Sequence, residues 1–131
     1  MIEATRTGDR FAFSMEVEGA PQEAILQALQ EGMRSEVEYR VQLYREAKGI
    51  WRFFGDRLIE EYETHYIAYF DPFTRSYRLD ASGAFAPDQQ SFEDAGAFLD
   101  PCLSITSNPM PLPREGRQYR LRGRAVVRPI R

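Results

Sequence analysis

The stretch RLIEEYETHYIAYFDPFTRSYRLD, residues 57–80, constrains the fold more than any other. From Leu58 to Phe70 one side of the chain carries Leu58, Glu60, Tyr62, Thr64, Tyr66, Ala68 and Phe70. The other carries Ile59, Glu61, Glu63, His65, Ile67 and Tyr69. A period of two in a segment dense in β-branched and aromatic residues belongs to a strand, not a helix. Glu61, Glu63 and His65 make the first half polar on one face. The second half is apolar on both, as in a strand entering a covered part of a fold. Asp71-Pro72-Phe73-Thr74 then supplies a turn, because Pro72 presets φ and Asp71 can accept from the backbone ahead of it. Tyr77 and Leu79 share one face of the return strand. The segment is a β-hairpin, and its neighbours have to pair with it or cover it.

Two further segments alternate as cleanly. In RFAFSMEVE, residues 10–18, Phe11, Phe13, Met15 and Val17 face one way. In SEVEYRVQLYRE, residues 35–46, Val37, Tyr39, Val41 and Leu43 point to a core, and Glu36, Glu38, Arg40 and Gln42 point to water. Between them, Pro21 opens a helix with an apolar stripe of Ile25, Leu26 and Leu29, which Gly32 stops. A second helix is expected after Ser91 as N-cap, with Glu93 and Asp94 in its first turn and Pro101 ending it. Cys102, Leu103 and Ile105 suit a short strand, and SNPMPLP an extended loop. The final strand spans about Gln118 to Arg128. Tyr119, Leu121, Gly123, Ala125 and Val127 face inward there, with Arg120, Arg122, Arg124 and Arg128 outward.

These elements make a mainly β protein. The expected architecture is an antiparallel β-sandwich or strongly curved sheet with two short helices, since each alternating strand has one apolar face to cover. A two-layer α+β arrangement is the alternative. At 131 residues the chain is read as a single domain, residues 1–131, with 1–9 a flexible N-terminal lead. No apolar run approaches the roughly 20 residues a membrane span needs.

Several function classes find little support. The net charge of −3 gives no global nucleic-acid signature. Cys102 is the only cysteine and His65 the only histidine, so an internal disulfide is excluded and a zinc site poorly supplied. No glycine-rich phosphate loop is present. A hydrolase would have to use Glu61, Glu63 or His65; those three share a strand face with no nucleophile motif nearby, as a solvated polar face does. No catalytic residue, cofactor or metal is expected.

Two segments are candidate binding sites. Ile50, Trp51, Phe53 and Phe54 lie between Gly49 and Gly55. They either plug the core or form a recognition patch for a protein partner or membrane surface. Ile50 and Trp51 are adjacent, as are Phe53 and Phe54, so an extended segment exposes at least one of Trp51, Phe53 and Phe54 and buries another. The second candidate is the row Arg120, Arg122, Arg124, which either tracks phosphates or faces glutamates of a neighbouring strand, Glu36 and Glu38 or Glu61 and Glu63.

The order of elements resembles an uncharacterised family of bacterial exported, periplasmic domains of unknown function. The resemblance is carried by Ile25–Gly32 (ILQALQEG), Val37–Leu43, Trp51, Tyr66–Leu79 (YIAYFDPFTRSYRL), Ser91–Leu99 (SFEDAGAFL) and Tyr119–Val127. It covers most of the chain from about residue 11. It implies export past the inner membrane and a mature domain without catalytic motifs. The start MIEATRTGDR has no apolar leader, which a removed export signal would explain; without export the compartment is the cytoplasm. The expected function is a non-enzymatic extracytoplasmic binding or accessory module with an unidentified partner. Alternatives are a carrier of an apolar small ligand between sheet and helices, suited to the aromatic load of Tyr62, Tyr66, Phe70 and Tyr77, and the hydrolase above.

Overall fold

The computed structural model describes residues 2–47, 55–86, 89–112 and 118–130. Two antiparallel sheets and two helices make up these residues. Strand β1 (Ile2–Thr7) pairs with β2 (Arg10–Glu16), helix α1 (Gln22–Gln30) follows, and β3 (Arg34–Arg45), β4 (Arg57–Asp71) and β5 (Ser76–Gly83) form a meander. Then come β6 (Gln90–Phe92), α2 (Ala95–Cys102), β7 (Ser104–Thr106), β8 (Met110–Pro111) and β9 (Tyr119–Ile130). The smaller sheet runs β1-β2-β7, with β8 also on β2, and the larger runs β6-β5-β4-β3-β9.

The β3–β4 ladder organises the larger sheet. Val37, Tyr39, Val41 and Leu43 on β3 and Thr64, Tyr66 and Ala68 on β4 are all buried. They pack against Phe11, Phe13 and Met15 from β2, Ile25 and Leu29 from α1, and Phe98, Leu99 and Cys102 from α2. The expected β-sandwich architecture, two antiparallel sheets with two short helices, is what the chain forms. The turn after β4 closes as its sequence dictates: the Phe73 amide donates to Asp71 Oδ1 at 3.0 Å.

Some elements differ from the sequence reading. Residues 2–7, expected as a flexible lead, form a strand paired with β2 from Ile2↔Met15 to Thr7↔Arg10. Their sequence, IEATRT, has too few apolar residues to announce a strand; the pairing rests on backbone bonds to a strongly patterned neighbour. Ser91 lies in β6, and Asp94 caps α2 by accepting from the Ala97 amide at 3.1 Å. Both are good N-caps, and pairing of Tyr77 with Phe92 draws Ser91 into the sheet. Pro101 lies inside the last turn of α2, whose final residue is Cys102. A register shift between Leu43 and Tyr44 turns Leu58 outward, where it is 45 % exposed, while Ile59 packs on the core.

Gly83 makes one close approach possible. Its φ is +95°, and an added Cβ would overlap the Glu63 carbonyl oxygen across the ladder. Only glycine meets both conditions at no cost.

Candidate functional site

The outer face of the larger sheet holds most of the chain's organised charge. Strand alternation sends Glu36, Glu38, Arg40, Gln42 and Tyr44 outward from β3. Register then places Glu38 beside His65, Arg40 beside Glu63 and Gln42 beside Glu61 of β4. On the other side Glu36 meets Arg128, Glu38 meets Val126, Arg40 meets Arg124, Gln42 meets Arg122 and Tyr44 meets Arg120 of β9.

On the β3–β4 side of this face the central arginine, Arg40, has carboxylate partners within the domain. Arg40 donates to Glu63 at 2.9 Å and Glu61 at 3.2 Å, and reaches Glu38 at 3.5 Å. His65 lies between Glu36, at 3.4 Å through Nδ1, and Glu63, at 3.9 Å through Nε2. Arg128 pairs with Glu38 at 2.7 Å and Glu36 at 3.8 Å. These pairs are solvent-facing, so their net contribution is small, about 0–1 kcal/mol each. They fix register more than they stabilise.

Along β9, among the described residues, pairing holds at Arg128 and Arg120 and lapses between them, at Arg122 and Arg124. Arg120 pairs with Asp56 at 2.9 Å and lies over the Tyr44 ring, as does Arg122. Among the described residues no carboxylate lies within ion-pair distance of Arg122 or Arg124. Arg124 stands directly opposite Arg40, a like-charge juxtaposition. Val126, short between two arginines, leaves a concavity of about 250 Å³ lined by Glu38, Arg40, Arg124, Val126 and Arg128.

The expected pairing of the final strand with an acidic strand is present, since β9 lies beside β3. The expected partners are shifted. Arg128 takes Glu36 and Glu38, while Arg120, Arg122 and Arg124 face Tyr44, Gln42 and Arg40. Strand parity alone defines which residues share a face; the offset along the strand is set by the turns and loops.

Glu61, Glu63 and His65 are brought together, but on an open face and tied to Arg40 and Glu36. One cluster was not anticipated from sequence: Glu36, Glu38 and His65 each place a ligand atom within 4.8 Å of the others. Those three could hold a cation only by displacing Arg128, which already pairs with both glutamates. Only the β3–β4 register, invisible in a linear reading, could have revealed them.

Each aromatic ring of the set proposed for a ligand carrier packs on another ring of the domain. Phe70 and Tyr77 lie 5.1 Å apart by ring centroids, Tyr77 stacks on Phe98 at 5.2 Å, and Tyr62 meets Phe85 at 5.3 Å. Trp51, Phe53 and Phe54, with Ile50, lie outside the described residues. A surface aromatic that sequence reasoning missed is Phe73, 96 % exposed at the hairpin tip; the two turn residues before it were the available signal.

Burial also shapes three titratable groups below the sheet. Tyr39 is fully buried and donates to the Cys102 carbonyl at 2.8 Å. Burial pushes its hydroxyl far above the ordinary 10.0, with Cys102 and Tyr66 adding to the effect. Burial raises Tyr66 as well, and pushes the Cys102 thiol from 9.0 to about 12. A thiol held protonated is a poor nucleophile.

No helix among the described residues is long and apolar enough to cross a membrane. No curated protein and no solved structure matches the chain. A family model does, over residues 1–128, and the chain belongs to that family, described as Domain of unknown function (DUF4390).

Proposed function

We propose that this DUF4390 domain is a non-enzymatic binding module, acting outside the cytoplasm, that docks an anionic partner surface on the β3–β9 side of its larger sheet. The observation that carries the reading is the asymmetry of the outer face. Arg40, Arg120 and Arg128 find carboxylates within the domain, whereas Arg122 and Arg124 find none among the described residues. Opposed like charges with a concavity between them are a poor way to stabilise a sheet. They suit a partner that brings the missing negative charge, raising both specificity and encounter rate. Binding is favoured over hydrolysis because Glu61 and Glu63 are both engaged by one guanidinium on a solvent-facing sheet surface. Export rests on the resemblance of the element order to exported domains.

The test is site-specific photo-crosslinking in the cells that natively produce the protein. A photoreactive residue replaces Val126, at the base of the concavity, or Gln27, on the exposed face of α1. A discrete adduct from position 126, absent from 27 and lost with R122E/R124E, is expected. No adduct at 126, or the same adducts from both positions, overturns the binding surface. Recovery of the native protein with osmotic-shock contents is the expected compartment result; recovery only with cytoplasmic markers overturns export.

A further inference from the structure

The geometry points to an extended peptide segment with alternating acidic and apolar residues as the partner, added as a strand along the free edge of β9. This rests on the β3–β9 surface being the binding surface and specifies what it binds.

The edge comes first. Residues of β9 pair with β3 along one side from Tyr119↔Arg45 to Ile130↔Arg34. Among the described residues no strand pairs along the other side, and β9 ends the sheet order. A strand edge presents a row of backbone donors and acceptors that another strand can complete.

The two faces of β9 then specify the side chains. Above the sheet, Arg120, Arg122 and Arg124 recur at every second residue, about 6.8 Å apart along the strand. Arg120 already holds Asp56, and an added strand with carboxylates at the same period sets one opposite Arg122 and one opposite Arg124, at the roughly 4.5–5.5 Å Cβ spacing of cross-strand pairs. Below the sheet, Leu121, Ala125 and Val127 are only partly buried although they face the core. Beside Leu121 a mainly apolar cleft of about 120 Å³ opens between β1 and β9, with Phe11, Leu43, Leu112 and Leu121 in its lining and Thr5 and Arg6 at the β1 side. The residues of an added strand that alternate with its acids lie on the same side as Leu121, Ala125 and Val127, and those beside Leu121 reach that cleft. The domain already uses this pattern on the other side of β9: in β3, Glu36 and Glu38 alternate with Val37 and Tyr39, and the glutamates take Arg128.

Other occupants fit less well. A second copy pairing β9 with β9 antiparallel sets arginine rows against each other, which disfavours the contact. A phosphate polymer satisfies the arginines but has nothing for the apolar row or the backbone edge.

The experiment titrates the 15N-labelled domain with a short blocked peptide of alternating Glu and Val. Its controls are the same peptide with Lys for Glu, the same peptide N-methylated at alternate nitrogens, and a single-stranded oligonucleotide as the phosphate source. Saturable amide shifts concentrated in residues 119–127 are expected with the Glu peptide. Binding should weaken about tenfold, or about 1.4 kcal/mol, in R122E/R124E and on N-methylation. It should also fall in about 1 M salt, where the screening length is about 3 Å. Equal binding of the Lys or N-methylated peptide overturns the inference, as do shifts centred elsewhere, no saturable binding, or β9 shifts given by the oligonucleotide and not by the peptide. If the peptide fails while the position-126 adduct persists, the surface stands and strand addition is wrong. If both fail, the surface itself is wrong. Thermal melting of R122E/R124E close to the parent confirms that the exposed substitutions leave the fold intact.

Discussion

Replacing Tyr39 with Phe isolates a polar contact that ties the centre of the larger sheet to the end of α2. The Tyr39 side chain is completely buried, and its hydroxyl donates to the Cys102 carbonyl at 2.8 Å. Cys102 ends α2, where carbonyls lose their helical partners. Tyr39→Phe removes the donor and leaves that acceptor in an apolar setting, at a cost of about 1–3 kcal/mol. In a chain of this length 1 kcal/mol corresponds to roughly 3–5 °C in Tm, so a loss of about 3–15 °C at neutral pH is expected. The alkaline behaviour gives a second, independent reading. The folded-state pKa of Tyr39 lies above its unfolded value, so the associated stability is fully present below pH 10.0 and lost as pH rises above it. The parent should therefore lose about 1.4 kcal/mol more than the variant between pH 7 and about pH 11. Urea unfolding at both pH values measures the two effects. A variant within about 1 °C of the parent at pH 7, or a difference that does not narrow at high pH, refutes the role assigned to this hydroxyl.

Two other substitutions or reagents address the same core. Val41→Asp places a carboxylate at a position 2 % exposed. With no partner there to offset its burial, it should abolish the folded state, as circular dichroism would show; a folded variant melting within a few degrees of the parent contradicts the inward assignment of β3. The Cys102 thiol, buried and with its pKa pushed up to about 12, should resist alkylation at pH 8 in the folded protein and react rapidly in urea. Comparable folded and unfolded rates by mass spectrometry would show that the thiol is accessible.

The parts legible in the sequence were those that strand parity determines. Val37, Tyr39, Val41 and Leu43 could be assigned inward because each is flanked by a polar residue, and the same logic placed the arginines of β9 outward. What parity leaves open is offset. It could not say whether Arg122 meets Glu36, Gln42 or nothing, because alternation is satisfied equally by every even offset between two strands. Nor could it find β1, whose residues carry almost no apolar alternation and pair because β2 offers an edge. The shift beside Leu43 shows the same limit: Ile59 and Leu58 exchange faces through one irregularity that the adjacent pattern does not announce. The candidate site inherits this limit. Its residues were legible as a basic row; its lack of internal partners was not.

The position of the candidate site follows from how the larger sheet is covered. Helix α1 packs on β3 and β4, and α2 on β5 and β6, with Tyr77 stacked on Phe98. The smaller sheet covers the remainder, with Met15 and Ile2 lying over β9 at Gly123. A Cβ at position 123 would stand 2.5 Å from Met15 Sδ, so glycine is what permits the two sheets to close there. On either side of that pinch, Leu121 and Val127 are only partly covered, whereas Val37, Tyr39, Ala68 and Leu79, further into the sheet, are 0–1 % exposed. Burial is therefore deepest at the middle of β3, β4 and β5, and no described residue of β9 reaches it. On the opposite face, among the described residues, the ion pairs of Arg40, Arg120 and Arg128 surround a gap at Arg122 and Arg124. A single added strand would meet both deficits at once, because alternation sends half of its side chains to each face.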